Sequence, residues 1–282
     1  MAVVACGTRA LLQIVFGTTS RGEPGYAAQL VAGLHPGMLL LADRNFAVAD
    51  LIGGIHRTGA DLLIRVKAGR RLPVCRRCRD GSWISRIGGI EVRVIRCVIC
   101  AATPAGRRGE VYQLVTTVTD PDCSATEIAR LYHQRWEVET AYLELKQSIL
   151  GGRVLRARTP SGLEQEIYAL LIAYQALRIA ICDATIDRPD LDPDRGSFTV
   201  ALNAARDQVI HAAGALADGR DLIGVIGRQI RDNPLPNRRC RTAPRVVKRA
   251  ISNYVPKTST GRLRGPSHQA SISIDILAAE DP

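Results

Sequence analysis

The chain has 282 residues, of which 46% are hydrophobic, so it can bury the core of one large domain or of two smaller ones. Its formal net charge of +11 and its pI of about 9.6 favour a polyanionic partner, most often nucleic acid. The start of the chain lacks the basic segment of a secretory signal peptide, and its longest apolar run, Ile167–Tyr174, is too short to span a bilayer. We therefore expect a cytoplasmic protein that does not enter a membrane and whose cysteines are reduced.

The first 60 residues are predicted to alternate between strands and helices. Ala10–Gly17 is apolar and typical of a strand, and Tyr26–Leu34 has helical spacing after a break rich in Gly and Pro. Met38–Phe46 begins with four apolar residues, a pattern that favours a strand buried on both faces. Asp43 follows that run, where open α/β sheets place their functional groups; the alternative is that it only caps the next helix.

The segment 71–119 has the short strands and turns of a β-rich module. Basic residues crowd its beginning and the strand before it. These cations would repel one another without an anionic partner, although a solvated surface loop would also explain them. We predict that Arg70 and Arg71 contact DNA. The full set is Arg65, Lys67, Arg70, Arg71, Arg76, Arg77 and Arg79.

The stretch Ser124–Leu150 is predicted to be one helix of about seven turns. Ser124 and Glu127 have the spacing of a capping box at its start. At about 100° per residue, Tyr132 shares a narrow arc with three other polar side chains, and this arc borders the apolar stripe. A carboxylate between two cations at the edge of a core fits a site for a metal ion and a phosphate. The other three residues are Arg135, Glu139 and Lys146.

The remainder of the chain is predicted to be helical and then basic. Ser161–Ala184 has the apolar periodicity of a core helix, and two further helices follow within 198–232. From Asn233 onward no acidic residue occurs before Asp275, so we expect a partly disordered arm that contacts phosphate. Arg245 and Lys248 lie in this arm and are predicted to bind DNA.

The four residues of the arc are spaced Y-x2-R-x3-E-x6-K, which resembles the YREK signature of DDE-type transposases of the bacterial insertion-sequence-4 group. The run MLLLADRNF resembles the strand that carries the second aspartate of that family. The β-rich module, the apolar helix after the signature and the segment Arg245–Tyr254 also have counterparts there. The resemblance extends from about Cys6 to Tyr254.

This resemblance implies an α/β, RNase H-like fold, with a mixed sheet and flanking helices. Asp43 and Glu139 would be the catalytic carboxylates and would bind Mg²⁺ in a two-metal site, while the remaining signature residues would contact transposon-end DNA. A homodimer in a synaptic complex and a bacterial, nucleoid-associated location are implied as well. The predicted domains are 1–70 and 120–185 for the two parts of the catalytic domain, 71–119 for a β-rich insertion, and 186–282 for a helical region with a basic tail.

One feature departs from the family. No aspartate precedes Asp43, whereas the family has a first aspartate on an upstream strand. We therefore expect an N-terminally truncated or inactive transposase whose chain does not cleave DNA by itself. The alternative is a non-catalytic protein that binds DNA.

Two cysteine pairs have the spacing C-x2-C-x18-C-x2-C, which lies in the range of zinc ribbons. The second pair continues a strand-like alternation, and a strand places positions i and i+3 on opposite faces. Two readings therefore stay open: a zinc-ribbon DNA-binding protein, or reduced cysteines in strands. The pairs are Cys75 with Cys78 and Cys97 with Cys100.

Overall fold

A computed structural model describes residues 1–18, 20–67, 69–104, 106–186, 188, 190–214, 222–236, 241–242, 246–247, 255–256, 268–269 and 271–279. The helices are α1 (Glu23–Leu30), α2 (Ala49–Arg57), α3 (Ala125–Tyr132), α4 (Glu137–Leu143), α5 (Pro160–Thr185), α6 (Phe198–Gly214) and α7 (Leu222–Asp232). The first strands are β1 (Ala2–Val4), β2 (Leu11–Ile14), β3 (Leu39–Ala42), β4 (Asp61–Val66), β5 (Arg76–Arg77) and β6 (Trp83–Ile87). They are followed by β7 (Ile90–Thr103), β8 (Gly106–Thr116), β9 (Arg241–Thr242), β10 (Val246–Val247), β11 (Val255–Pro256), β12 (His268–Gln269) and β13 (Ser271–Leu277).

A mixed seven-stranded sheet is the centre of the fold, with the order β3-β4-β8-β7-β6-β5 and with β13 also paired to β7. β3 runs parallel to β4, and the other pairings in this sheet are antiparallel. Strands from 71–119 thus lie in the same sheet as β3 and β4. The division into a catalytic domain and an insertion stays a prediction.

Three groups of buried side chains hold the layers together. The first fills the space between α2 and one face of the sheet, around Ile52, Ile55 and Leu62. The second lies on the opposite face, where Ile128 and other residues of α3 pack on the sheet. A third core joins α4 to the helices α5, α6 and α7. Helices therefore cover both faces of a mixed sheet, as the α/β prediction requires.

Two predictions near the start of the chain need correction, one about burial and one about a helix boundary. β3 is an edge strand, paired only with β4 within the described residues, and Leu39 is 37% exposed, so the prediction of burial on both faces is wrong. α1 begins at Glu23, before the predicted Tyr26, and its Pro lies in the first turn. Proline is tolerated there because the first backbone N–H groups of a helix have no partner within the helix.

The stretch 124–150 is helical but is not the single helix that we predicted. The capping box of Ser124 and Glu127 is confirmed. After α3 the chain tightens into a 3₁₀ turn, His133–Trp136, continues as α4, and widens into a π-helical turn, Glu144–Ile149. These turns change the rotation per residue, so a constant 100° step misplaces side chains beyond Tyr132.

The end of the chain differs from the predicted disordered arm. Ser271–Leu277 forms β13, antiparallel to β7, with Ile274 opposite Ile99. The alternation SISIDIL allows this pairing, because the side chains of Ile274 and Ile276 pack in the core beneath α3. Arg245 and Lys248 lie outside the described residues.

Helix α5, Pro160–Thr185, agrees with the predicted Ser161–Ala184 to within one residue at each end. By length and composition alone it could cross a membrane. Core helices of soluble proteins can have the same length and composition. Tyr174, Leu177 and Ile181 of α5 are buried against α6 and α7, which confirms a core role for this part of the helix.

A buried ion pair fixes the start of α3 to the sheet. Arg93 of β7 is 1% exposed and donates to the carboxylate of Asp80 and to the backbone carbonyls of Asp120 and Cys123. The same carboxylate of Asp80 accepts the backbone N–H of Ala125, at 2.8 Å. Burial by itself would raise the pKa of Asp80, but hydrogen bonds and Arg93 hold it below its ordinary value.

We predict that Asp80→Asn lowers the free energy of unfolding by about 3 kcal/mol at neutral pH, because the charge of Arg93 stays buried without its partner. Since the folded pKa of Asp80 is lowered, its contribution is complete above its unfolded pKa and disappears as the pH falls through the folded value. Urea denaturation across a pH series measures this difference.

The exposed pair Arg188–Asp190 provides the control, since its side chains are 50% and 66% accessible. Asp190→Asn is expected to change stability much less. Equal effects of the two substitutions would contradict the assigned role of Asp80.

Candidate active site

Asp43 stands directly after β3, at the edge of the sheet where the parallel strands β3 and β4 end. Its Oδ1 accepts the backbone N–H of Arg44 at 2.7 Å and caps a 3₁₀ turn, Arg44–Phe46. Two residues separate that turn from α2, which has no side-chain cap of its own. The capping alternative is therefore correct in part, but the carboxylate remains 42% exposed and can bind another group.

Arg135 links Asp43 to Glu139. Its Nη1 lies 3.9 Å from Oδ2 of Asp43 and 3.9 Å from Oε1 of Glu139. Since both oxygens lie at that distance from one nitrogen, they are separated by no more than twice 3.9 Å. The tertiary structure thus brings together two carboxylates that are 96 positions apart, and a guanidinium offsets their repulsion.

The guanidinium of Arg135 is enclosed more than the carboxylates it links. Its side chain is 14% exposed, against 49% for Glu139. It lies 4.7 Å from the ring of Trp136 and 5.7 Å from that of Tyr132, both within cation–π range. The Nε of Arg135 is buried and has no hydrogen-bond partner among the described residues.

Tyr132 connects the helical stretch to the end of β3. Its hydroxyl donates to the backbone carbonyl of Ala42 at 3.2 Å, and its ring meets that of Tyr112 edge to face at 6.3 Å. The side chain is buried, which raises the pKa of its phenol. This geometry favours a role for Tyr132 in positioning Asp43. The predicted contact of Tyr132 with DNA stays a prediction.

Lys146 is exposed and projects from the π-helical turn. Its Nζ lies 5.4 Å from the ring centre of Tyr142. No ion pair joins it to Asp43 or Glu139 within the residues described, so its ammonium group is available to an anion in solution.

Comparison with known proteins identifies this arrangement. A family model described as "Transposase DDE domain" matches residues 1–176, which include every residue of the site described above. The chain belongs to the DDE transposase family. It is also 26% identical over 267 residues to the transposase InsG for insertion sequence element IS4 of Escherichia coli (strain K12). That match covers 88% of this chain, and the chain spans 59% of the length of that relative. The resemblance to the insertion-sequence-4 group is thereby confirmed, and the mixed sheet agrees with the predicted RNase H-like fold.

DDE transposases generally use divalent metal ions. The two partly exposed carboxylates of Asp43 and Glu139 have the oxygen atoms that hard metal ions prefer as ligands. Within the described ranges, no three His, Cys, Asp or Glu side chains lie close enough together to form a metal site.

The cysteine pairs give the zinc alternative no support. Cys97 and Cys100 are buried in β7, and burial raises the pKa of the Cys97 thiol to about 11. A raised pKa disfavours the thiolate that binds zinc. Cys75 and Cys78 flank β5 and belong to no metal cluster in the part of the chain that the structure describes.

Arg70 has a structural contact that its sequence position did not reveal. Its Nη1 donates to the backbone carbonyl of Ala47 at 2.6 Å, and its own carbonyl accepts from Gln113 at 2.9 Å. It thereby ties the loop after β4 to the segment that follows Asp43. Arg71 is exposed, and DNA binding by both residues stays a prediction.

A second ion-pair network, which the sequence analysis missed, supports the helical stretch from the side of α5. The buried Arg178 donates to Glu144, and Arg9 pairs with both Glu137 and Glu144. The hydroxyl of Tyr174 lies 3.3 Å from Glu144 and donates to the backbone carbonyl of Arg9 at 3.0 Å. Arg178 is a single arginine in the apolar pattern of α5. It was the signal that could have indicated this network, since buried charges require partners.

We predict that Tyr132→Phe lowers the free energy of unfolding by about 1 kcal/mol, because a partly buried carbonyl loses its donor. Urea denaturation measures this change. Tyr112→Phe is the matched control, since its hydroxyl meets Glu110 at the exposed surface, at 3.2 Å. A loss as large in Tyr112→Phe would show that the contact with Ala42 is not the cause.

Proposed function

We propose that this chain is part of a DNA transposase, which cleaves the ends of an insertion sequence and joins them to target DNA. The observation that carries this proposal is the convergence of Asp43 and Glu139 on Arg135 within a DDE domain. Phosphoryl transfer requires an attacking group, a held phosphate and compensation of negative charge. The site has residues suited to the last two tasks, and the attacking group would be a water or a DNA 3′-hydroxyl activated by a bound metal ion.

Asp43 and Glu139 would hold Mg²⁺. When bound, this ion supplies Lewis-acid activation of a water or of a DNA 3′-hydroxyl. Arg135 keeps the two carboxylates close, since its Nη1 lies 3.9 Å from an oxygen of each. Lys146 provides a point charge for DNA phosphate at the rim of the site. Tyr132 holds the end of β3, and hence Asp43, at a fixed position beneath the helical stretch.

The partner that we propose is double-stranded DNA, both transposon ends and target. The net charge of +11 provides the nonspecific attraction. Arg70, Arg71, Arg245 and Lys248 are proposed to add phosphate contacts beyond the site. We also propose a homodimer that joins two DNA ends in a synaptic complex, and a cytoplasmic, nucleoid-associated location.

A non-catalytic DNA-binding protein is the second candidate. The observation that favours it is the presence of two, not three, carboxylates at the site in the described part of the chain. Such a protein would keep the phosphate-binding cations of the DDE domain and would lack metal-dependent cleavage.

We predict that Lys146→Ala weakens binding of the full chain to duplex DNA about threefold at 0.1 M salt, and reduces the salt slope by about one. The reason is the loss of one phosphate contact. Fluorescence anisotropy across a salt series gives both values. Arg57→Ala is the control, because Arg57 ends α2 at the edge of the sheet opposite Asp43. Failure of the unmodified chain to bind DNA would refute both candidate functions.

We also predict that the chain alone does not detectably nick DNA that carries the ends of its own element, with Mg²⁺ or Mn²⁺, because the described residues bring two carboxylates, and not three, to the site. A supercoiled-plasmid nicking assay provides the measurement. Robust nicking that Glu139→Gln abolishes and Glu164→Gln leaves intact would overturn this expectation and select the transposase over the second candidate.

A further inference from the structure

Helix α5 buries one face and leaves the opposite face exposed. Its buried face packs against α6 and α7 through Tyr174, Leu177 and Ile181. At about 100° per residue, the exposed residues of the helix fall on the other side. They stay exposed in the part of the chain that the structure describes, and we call this surface the open face. Its members are Tyr168, Ala169, Ile172, Ala176, Ile179 and Asp183.

The open face is apolar along most of its length. Ile172 is 69% exposed, Ile179 is 52% exposed and Tyr168 is 50% exposed. Between Tyr168 and Asp183 the only charged residue of the helix is Arg178, which is buried on the opposite side. A helix that is apolar on both faces is normally covered on both, and a contiguous exposed apolar surface marks a site of interaction. We therefore expect the open face to be an interaction surface.

A lipid bilayer does not fit the open face. Arg178 and Tyr174 bind Glu144 on the other side of the helix, so α5 cannot enter a bilayer without breaking this buried network. A helix that lies on an anionic bilayer carries cations beside its apolar face. The exposed charges at the two ends of the open face are acidic instead, Glu164 and Asp183. These charges favour a protein partner.

The open face is complementary to itself when two copies cross antiparallel about Ala176. A twofold axis at Ala176 places Ile172, four residues before it, opposite Ile179 of the second copy, three residues after it. The same axis places Tyr168 opposite Asp183 of the second copy, whose carboxylate accepts a hydrogen bond from the phenol hydroxyl. The small side chains of Ala169 and Ala176 allow the two helices to approach to about 8 Å, the short end of the usual range.

Charge selects this antiparallel arrangement over a parallel one. A parallel pair would bring the Asp183 carboxylates of the two copies together and align the two helix dipoles, and both effects are repulsive. In the antiparallel pair each Asp183 lies seven residues from the axis, or roughly 10 Å, so the two carboxylates are about 20 Å apart.

We infer that two copies of this chain associate through the open face of α5, as an antiparallel helix pair with Ala176 on the twofold axis, an inference that rests on the homodimer of the proposed function and gives it a place in the fold. If each large side chain of the face contributes roughly 100 Å², the pair buries on the order of 1,000 Å², near the lower limit of a specific interface. An interface of that size is expected to dissociate with a Kd on the order of 10 µM.

The first experiment measures the oligomeric state of the full chain without DNA, by sedimentation velocity from about 1 to 100 µM. The unmodified chain is expected to pass from monomer to dimer over this range. Ala176→Glu places two like charges at the axis and is expected to weaken the dimer at least about tenfold. Ala28→Glu makes the same change at an exposed position of α1 and is expected to change the Kd less than about twofold. Both substitutions keep a good helix former, so both variants fold.

The second experiment tests the register by disulfide cross-linking of the full chain. Ala176→Cys is expected to cross-link to its own copy under mild oxidation, because two Cβ atoms beside the axis meet at the distance of a disulfide. Ala169→Cys is the matched control, since its two copies lie about 20 Å apart in the antiparallel pair and do not cross-link. A non-reducing gel gives the dimer fraction, and the unmodified chain gives the background from the native cysteines.

The outcomes separate the inference from the proposed function. A chain that stays monomeric overturns the inference and the proposed homodimer, whereas action on DNA is decided separately by the anisotropy titration of the unmodified chain. A dimer that Ala176→Glu and Ala28→Glu affect equally, or equal cross-linking of the two cysteine variants, overturns the inference alone. So does co-sedimentation with phosphatidylcholine vesicles that Ala176→Glu abolishes, since lipid would then cover the face. A dimer that Ala176→Glu selectively weakens, with cross-linking confined to Ala176→Cys, supports the inference.

Discussion

The contact between the end of β3 and the helical stretch 125–149 determines whether this chain has a site at all. Asp43 comes from the strand and Glu139 from the helical stretch, and like charges repel when they are brought together. Arg135 lies between them, at 3.9 Å from each, and compensates that repulsion. The hydroxyl of Tyr132 fixes the same junction through the carbonyl of Ala42.

Two buried ion-pair networks hold the helical stretch in place. At its start, Asp80 receives Arg93 from β7 and the backbone N–H of Ala125. Near its end, Glu144 receives Arg178 from α5 where the π-helical turn begins. In each network the arginine is almost completely enclosed, so removal of the carboxylate leaves a buried guanidinium without its counterion. Tyr132, Arg135 and Glu139 lie between these two anchors, and small shifts of the helical stretch would separate Glu139 from Asp43.

Sequence patterns predicted the parts of the site that depend on local chemistry. The capping box at Ser124, the position of Asp43 after an apolar strand and the YREK spacing are all local features, and each identified an element that the structure contains. The same patterns failed where the environment decides the conformation. Tyr132 belongs to the predicted polar arc at the border of the apolar stripe, but its side chain is buried. β13 lies in a segment whose composition indicated an arm.

The sequence by itself determined the family, the residue types of the site and the positive charge that suits DNA. It could do so because the chemistry requires these residue types at short, fixed spacings. Only the tertiary structure decided that Asp43, Arg135 and Glu139 meet, that Arg178 supports them from α5, and that β13 returns to β7. Strand order, register and the change from α to 3₁₀ and π turns depend on contacts between distant segments, and periodicity within one segment contains no information about them.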